Sequence, residues 1–373
     1  VYSDELVLDR RTKALAPGTV AVLESAERVP LGTVAVNPGA TIAARLLDSD
    51  PEAQIDAAWC EYRLRRALAL REALFDAPYY RLVHAEADGL PGVVIDRFGD
   101  ALAVQPNAAW AAHRFDALLG ALDAVVGAPT VVLNAGSRAR ALEGLDDETR
   151  LVRGTLAEPV KVPMNGATYL ADLLAGQKTG LFYDQRPNHA AVARLARGQR
   201  MLDVFAHVGG FGLAALAAGA AEVTAVDSAE PALTLAREGA ALTGVASRFG
   251  TVRGAAFDVM RDMGEAGTRF GVVVCDPPAF APNRQALTQG LRAYARTARL
   301  AARLVAPDGW LVLCSCSHAA DPARFAAACA QGIRAAERQA VLVHEGRAGP
   351  DHPVHMALPE TSYLKALIWR MQG

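Results

Sequence analysis

The spacing of apolar and polar residues separates a β-rich front from the rest of the chain. Short apolar runs at 19–23, 32–36 and 42–47 are interrupted by glycine and proline, which predicts a small β-barrel. A helical spacing follows over 56–75. The pattern therefore predicts a first domain over residues 1–72, made of the barrel and a linking helix.

Residues 73–175 have a mixed pattern, which predicts a small α+β middle domain. Strands are predicted at 93–96, 101–105 and 130–134, with a helix over 108–125. The stretch 160–169 reads as a hairpin, because Asn165-Gly166 at its centre is the strongest short hairpin signal.

The third predicted domain, residues 176–373, alternates strictly between strand and helix patterns. Strands are predicted at 201–205, 222–227, 249–253, 271–275 and 310–316, and two more near 340–345 and 363–370. Such a pattern predicts an α/β fold with a doubly wound, Rossmann-like parallel sheet and an antiparallel ending. Ligands of such sheets bind at the carboxyl ends of the strands.

The first candidate site lies in the turn after the first of these strands. Gly209 and Gly210 are adjacent there, and glycines let a backbone approach a ligand closely. Asp227 ends the next strand, where ribose-binding carboxylates lie in mononucleotide-binding folds. The alternative for the glycines is simple packing within the turn.

Two further strand ends carry reactive side chains. Asp276 is followed by two prolines, so its carboxyl group is predicted to be rigid and directed at a heterocycle; the alternative is a capping turn. Cys316 lies between two serines, which favours a thiolate nucleophile over a small buried apolar residue. For Cys60, Cys275, Cys314 and Cys329 the buried role is expected.

Basic residues suggest an anionic partner. Lys178 and Arg186 lie in GQKTGLFYDQR, where they could hold phosphates, although an ordinary linker is the alternative. Arg292, Arg296, Arg299 and Arg303 are spaced to share one helix stripe with no acid between Asp276 and Asp308. RNA backbone would suit this stripe. A solvated face, or pairing with acids elsewhere in the fold, is nearly as well supported.

Composition narrows the function classes. A chain of 373 residues with 52% hydrophobic and 21% charged residues has a globular composition, and its net charge of −2 requires that any nucleic-acid affinity be local. The five cysteines show no disulfide or zinc spacing, which favours a reducing cytoplasm and no metal site. No apolar run is long enough to span a membrane.

Together these motifs resemble the PUA-domain-containing class I methyltransferases that make 5-methylcytosine in bacterial large-subunit rRNA. The segments GQKTG–DQR, VGGF, DPP, SCS and the run from Asp351 to Val354 follow in the family's order. GQKTG–DQR and SCS together are specific, whereas DPP and the glycines are common among methyltransferases. The resemblance covers nearly the whole chain.

The resemblance implies an RNA methyltransferase that uses S-adenosylmethionine (SAM) and forms a homodimer. It implies Cys316 as the nucleophile at cytosine C6 and Asp276 as the contact to the N3/N4 edge. It also implies RNA contacts by Lys178, Arg186, Pro278, Arg292, Arg296 and Arg299. The implied cofactor residues are Phe205, His207, Gly209, Gly210, Asp227, Ala255, Ala256, Asp276 and Pro277.

Four positions depart from the family pattern. Ala255 stands where an acid usually contacts the adenine amino group, His207-Val208 replaces Tyr-Thr, and Ala279 replaces a lysine. Two other functions therefore remain open. One is SAM-dependent methylation at a different RNA position, with Cys316 as a bystander. The other is a non-catalytic RNA-binding protein with a decayed cofactor site. The observation behind this second alternative is Ala255.

Overall fold

The computed structural model describes residues 1–176 and 179–373, without the side chain of residue 138. The chain forms two compact units. The first unit comprises Val1–Val160, Asp172–Gly180 and Pro350–His355, and the second unit comprises Lys161–Ala171, Leu181–Gly349 and Met356–Gly373. Residues 1–72 and most of 73–175 thus share one unit, while the predicted 160–169 hairpin, apart from Val160, belongs to the other. The domain boundaries at 72 and 175 stay predictions.

The first unit contains two sheets and five helices among its described residues. The helices are α1 (Arg10–Lys13), α2 (Ala57–Leu74), α3 (Ala109–His113), α4 (Phe115–Val125) and α5 (Arg138–Leu142), with a 3₁₀ turn at Ala85–Asp88. One antiparallel sheet has the order β1 (Thr19–Glu24), β2 (Pro30–Val36), β3 (Ala44–Asp48). The other has the order β4 (Tyr79–His84), β5 (Val93–Phe98), β6 (Ala101–Pro106), β7 (Thr130–Ala135), β8 (Glu148–Arg153).

Most predicted elements of the first unit are present, with two differences. Within residues 1–72, all of which are described, the chain contributes three strands, so a closed PUA-like barrel stays a prediction. The single helix predicted over 108–125 is wrong, because Arg114 leaves helical geometry between α3 and α4. Trp110 of α3 is buried, and its indole N–H donates to Pro91 O at 2.8 Å, which anchors α3.

The second unit begins with a hairpin and continues as a strand–helix alternation. The hairpin strands are β9 (Val160–Met164) and β10 (Ala167–Ala171), and Asn165 and Gly166 between them both have positive φ, as a type I′ turn requires. The helices are α6 (Arg186–Leu195), α7 (Gly210–Ala217), α8 (Glu230–Leu242), α9 (Ala256–Glu265), α10 (Leu287–Leu304) and α11 (Pro322–Ala335), with 3₁₀ turns at Ala246–Arg248 and Pro359–Thr361. The strands are β11 (Arg200–Val204), β12 (Glu222–Asp227), β13 (Phe249–Arg253), β14 (Phe270–Cys275), β15 (Val305–Ser315), β16 (Gln339–Gly346) and β17 (Lys365–Gln372).

The large sheet of the second unit has the order β13-β12-β11-β14-β15-β17-β16. The first five strands of this order are parallel, and β17 pairs antiparallel with both β15 and β16. The predicted doubly wound sheet with an antiparallel ending is therefore confirmed. The chain order reverses between β11 and β14, and such a switch point opens the crevice in which α/β sheets bind ligands.

Buried apolar strands explain why the sheet forms there. Val272, Val273, Val274 and Cys275 of β14 are fully buried, as expected for a parallel strand covered on both faces. Among the described residues, no helix is long and apolar enough to cross a membrane. Within the same ranges, no group of three or more His, Cys, Asp or Glu side chains could hold a metal ion.

Candidate active site

The turn after β11 is held in a strained shape by the end of β12. Phe205, His207 and Gly209 have φ values of +64°, +51° and +83°. The backbone N–H groups of Phe205 and Ala206 both donate to Val226 O, at 2.9 and 3.1 Å. Non-glycine residues with positive φ persist only where the surroundings fix them, and they cluster at ligand sites.

Packing accounts for both glycines of the turn. Gly209 caps α7 in the left-handed region, which glycine adopts without strain. A Cβ on Gly210 would lie 2.8 Å from the ring of His189, so the imidazole occupies the space that a side chain would need. The packing alternative is thus sufficient to explain Gly210, and its contact with a cofactor stays a prediction.

Asp227 is a half-buried carboxylate with a fixed orientation. One oxygen accepts from His207 N and the other from Ala229 N, each at 2.9 Å. Because a carboxylate oxygen can accept more than one hydrogen bond, both oxygens keep capacity for ligand hydroxyls. This pair of acceptors fits the ribose hydroxyls of a nucleoside cofactor. Ala255 is exposed at the start of α9, and Ala256 is buried, so neither supplies a polar side chain there.

Three phenylalanines form an apolar surface beside this carboxylate. Phe205, Phe257 and Phe280 are all half-buried, with ring centroids 6.3 to 6.5 Å apart. The guanidinium of Arg296 lies 4.4 Å from the centroid of Phe257. His207 packs on Phe182 at 5.1 Å. Aromatic faces of this kind suit a flat heterocycle such as adenine.

Asp203 is a buried acid under the turn. It is 1% exposed; one oxygen accepts from Gly212 N at 2.9 Å, and the other has no partner among the described residues. Burial raises the pKa of Asp203 to about 7, with the charge of Asp227 adding to the shift and the Gly212 hydrogen bond opposing it. The second oxygen can accept a hydrogen bond from a ligand or a water molecule.

A chain of amides fixes the carboxylate of Asp276. Gln185, which is 3% exposed, donates to Asp276 Oδ2 at 2.9 Å. Asn188 in turn donates to Gln185 Oε1 at 2.7 Å. The Asp276 N–H donates to Val204 O at 3.2 Å, next to the switch point. Of the two prolines that follow, Pro277 is buried and Pro278 is exposed.

Cys316 differs from the other four cysteines in its exposure. It is half-buried, whereas Cys60, Cys275, Cys314 and Cys329 are buried, as expected for small apolar residues. Burial raises the pKa of the Cys60 thiol to about 11 and that of the Cys314 thiol well above its usual range. Cys316 follows β15. Leu313 of β15 pairs with Cys275, the residue directly before Asp276, and Cys316 lies three residues beyond Leu313. His318 is exposed and lies against Tyr363, with ring centroids 5.3 Å apart.

Of the predicted basic residues that the structure describes, the four arginines of α10 are exposed, whereas Arg186 is half-buried. Arg292, Arg296, Arg299 and Arg303 are exposed on α10, and none forms an ion pair among the described residues. The guanidinium of Arg186, at the start of α6, lies 5.2 Å from the ring centroid of Tyr183. Lys178 lies outside the described residues.

Four polar residues of the site received no role from the sequence. Gln185, Tyr294 and Lys365 are buried and bond to groups beside Asp276 or Cys316. The fourth is Asp203. A charged residue at the end of an otherwise apolar central strand is a signal that could have identified Asp203, and the same holds for Lys365 at the start of β17.

Sequence comparisons with known proteins show the family of the chain. The profile of the family described as S-adenosylmethionine-dependent methyltransferase matches residues 96–370. The chain is 37% identical to the Ribosomal RNA large subunit methyltransferase I of Aeromonas hydrophila, over 88% of this chain and 84% of that protein. It is 34% identical to the protein of that name from Escherichia coli O139:H28, over 90% and 86%.

A solved structure shows the same fold. The crystal structure of SMU.776, a methyltransferase complexed with SAH, superposes with a TM-score of 0.83 at 19% identity, covering 96% of this chain and 92% of that one. The family profile and the relatives together decide the assignment. The chain belongs to the SAM-dependent methyltransferases, with a class I Rossmann-like fold, in the family of Ribosomal RNA large subunit methyltransferase I.

Proposed function

We propose that the chain transfers a methyl group from SAM to C5 of a cytosine in RNA, through a covalent bond between Cys316 and C6 of the base. The observation that carries this proposal is the position of Cys316, which is half-buried after β15, next to β14, the strand that ends just before Asp276. Large-subunit rRNA is the proposed substrate, because the relatives at 34 and 37% identity are named for it.

The proposed cofactor residues are those of the turn and its neighbours. Asp227 would accept the ribose hydroxyls, since its carboxylate is already oriented by two backbone N–H groups. Phe205 and Phe257 would face the adenine. They would replace the contact of the family's usual acid, at whose position this chain has Ala255. The remaining proposed contacts are His207, Gly209, Gly210, Ala256 and Pro277.

The chemistry assigned to this chain's residues starts at Cys316. Its thiol gives a proton to solvent, and the thiolate adds to C6 while N3 takes a proton from Asp276. The C5 carbon thereby gains enamine character. When bound, SAM supplies an electrophilic methyl group on its sulfonium. Afterwards the C5 proton is lost to water, the C6–sulfur bond breaks, and the N3 proton returns to Asp276.

The amide chain from Asn188 through Gln185 supports the role of Asp276. A carboxyl group that exchanges a proton with a base needs a fixed direction, and Gln185 Nε2 provides it at 2.9 Å. The target cytosine must be unpaired or flipped out, since C6 of a stacked base is not accessible to a thiolate.

RNA contacts are proposed for exposed basic residues. Arg292, Arg296 and Arg299 present guanidinium groups from α10 without ion-pair partners among the described residues, which suits phosphate binding. Arg186, Pro278 and Lys178 are proposed on the resemblance. The resemblance also supports a PUA-like RNA-binding function for residues 1–72, an α+β middle domain over 73–175, a homodimer and a cytoplasmic location.

The test is nucleoside analysis by mass spectrometry after incubation of rRNA with labelled SAM. We expect 5-methylcytidine from the wild type and at least about a thousandfold less from Cys316→Ala, with SAM binding by calorimetry preserved. The matched control is Cys329→Ala, a buried cysteine that keeps activity. Wild-type yield from Cys316→Ala would refute the nucleophile, and a methyl group at another atom would indicate the different RNA position.

The arginines have a separate test. Arg299→Gln is expected to reduce the slope of log affinity for RNA against log salt by about 0.7 to 0.9, the contribution of one phosphate contact. The control is Arg261→Gln, because Arg261 is exposed but paired with Asp258. Equal slopes in filter-binding titrations would exclude a phosphate contact for Arg299.

A further inference from the structure

Lys365 occupies a position where an apolar residue is expected. It opens β17 and lies opposite Ser315 in the ladder with β15. Side chains alternate along a strand, so Lys365 shares its face with Leu367, Trp369 and Met371, which belong to the core of the second unit. Lys365 itself is 7% exposed. Lysine is almost never this buried unless neighbouring groups pair with its ammonium group.

The ammonium group of Lys365 forms hydrogen bonds to the loop that begins at Cys316. Its Nζ donates to Ser317 O at 2.7 Å and to Ala320 O at 2.8 Å. Two of its three donors are therefore used, and among the described residues it has neither a third hydrogen bond nor an ion pair. We call residues 316–320 the Cys316 loop.

Buried hydroxyl groups hold the same loop from another side. Tyr294 of α10 accepts a hydrogen bond from Ser315 Oγ at 2.8 Å and shares one with Ser317 Oγ at 2.7 Å. Ser317 Oγ also accepts from Ala281 N at 2.9 Å, which ties the Cys316 loop to the segment after Asp276. Both neighbours of Cys316 are thus fixed, while Cys316 is the half-buried member.

We propose that Lys365 is a positioning residue for Cys316: its ammonium group orders the Cys316 loop and favours the thiolate over the thiol. This inference rests on the proposed function, in which Cys316 is the nucleophile. It adds a residue that neither the sequence motifs nor the proposed mechanism contains.

Charge compensation is the physical reason. An ammonium group taken out of water is stable only if nearby negative charge or dipoles replace its hydration. The groups that face Lys365 are the two loop carbonyls, Asp321 and Cys316. Tyr294, which faces Cys316, stays neutral because burial raises its pKa. Burial lowers the pKa of Lys365 to about 8, while Cys316 and Asp321 raise it, so the group is mostly protonated at pH 7.

The test is the pH dependence of alkylation at Cys316 by iodoacetamide, followed by mass spectrometry of the native protein. The other four cysteines are buried, so Cys316 should react first. In Lys365→Gln, whose amide can still donate to carbonyls, we expect the profile to move up by about one pH unit and the rate at pH 7 to fall about tenfold. Lys365→Arg, which keeps the charge, should retain the wild-type profile.

Controls separate charge from folding. Lys161→Gln removes an exposed lysine of β9 and should leave the profile unchanged. If Lys365→Gln does not fold, Lys365→Met offers an uncharged side chain of matched length. A wild-type alkylation profile in either folded, uncharged variant would overturn the proposal.

The alkylation result is independent of the RNA reaction. A shifted profile in a protein that makes no 5-methylcytidine would uphold the role of Lys365 and reject the proposed function. An unshifted alkylation profile in an active cytosine methyltransferase would reject only the proposed role of Lys365. In the active enzyme, kcat should fall in Lys365→Gln while the Kd of SAM stays unchanged.

Discussion

Two sets of buried charged side chains, one in each unit, are held in different ways. In the first unit, Arg71 forms two hydrogen bonds to Asp88, at 2.9 and 2.6 Å, and the two side chains are 0% and 3% exposed. Arg81 and Asp96 pair in the same manner. In the second unit, Lys365 and Asp203 are also buried, at 7% and 1% exposure, but have no ion pair among the described residues.

This difference separates a structural from a chemical use of charge. A buried ion pair satisfies both partners, so its charges are fixed and have little left to offer a ligand. Buried groups held only by backbone dipoles respond to pH and to the charge of whatever binds next to them. Asp203 lies near the end of β11, before the turn at 205–210, and Lys365 lies opposite Ser315, next to Cys316. Titratable groups with shifted pKa values are common at functional sites.

Breaking an ion pair of the first unit should have the largest effect. Asp88→Asn leaves the fully buried Arg71 without its counter-charge, so the free energy of unfolding should fall by about 3–5 kcal/mol. Urea denaturation followed by circular dichroism measures this. The control is Glu61→Gln in the exposed pair with Arg65, which should cost less than about 0.5 kcal/mol. Equal losses would remove the distinction between buried and exposed pairs.

Asp203 should make stability fall as the pH rises. Its pKa is raised from 3.8 to about 7 in the folded state, so between these values the folded protein binds more protons than the unfolded chain. The wild type should therefore lose stability relative to Asp203→Asn from pH 4 to 7, by up to about 1.4 kcal/mol per pH unit. Unfolding curves of both proteins at several pH values measure the difference in the free energy of unfolding. If this difference did not change with pH, Asp203 would not titrate in this way.

Lys365 should produce the opposite slope over a narrower range. Its pKa is lowered from 10.5 to about 8, so the unfolded chain binds more protons between these values. The wild type should gain stability relative to Lys365→Gln as the pH rises from about 8 to 10.5, with the same limiting slope. Unfolding curves of the wild type and Lys365→Gln, extended to alkaline pH, measure this gain. A constant difference would mean that Lys365 is already paired, as Arg71 is.

Much of the site could be identified from the chain alone. The turn at 205–210, Asp227, Asp276 and Cys316 all follow strands, and strand ends are readable because apolar runs stop there. The edge strand β8 was missed, since half of its residues are charged, half are exposed and it shows no apolar run. The break between α3 and α4 was missed as well, because the helical pattern continues through Arg114.

The sequence by itself determined the alternation of strands and helices in the second unit, the hairpin at Asn165-Gly166 and the candidate nucleophile, because these depend on local periodicity and residue chemistry. Only the tertiary structure decided which polar groups support them. Gln185 meets Asp276 across 91 residues, and Lys365 meets Ser317 across 48. No local pattern encodes such contacts: the packing of one element on another sets the partner of a buried polar group, and with it the charge that the group can present.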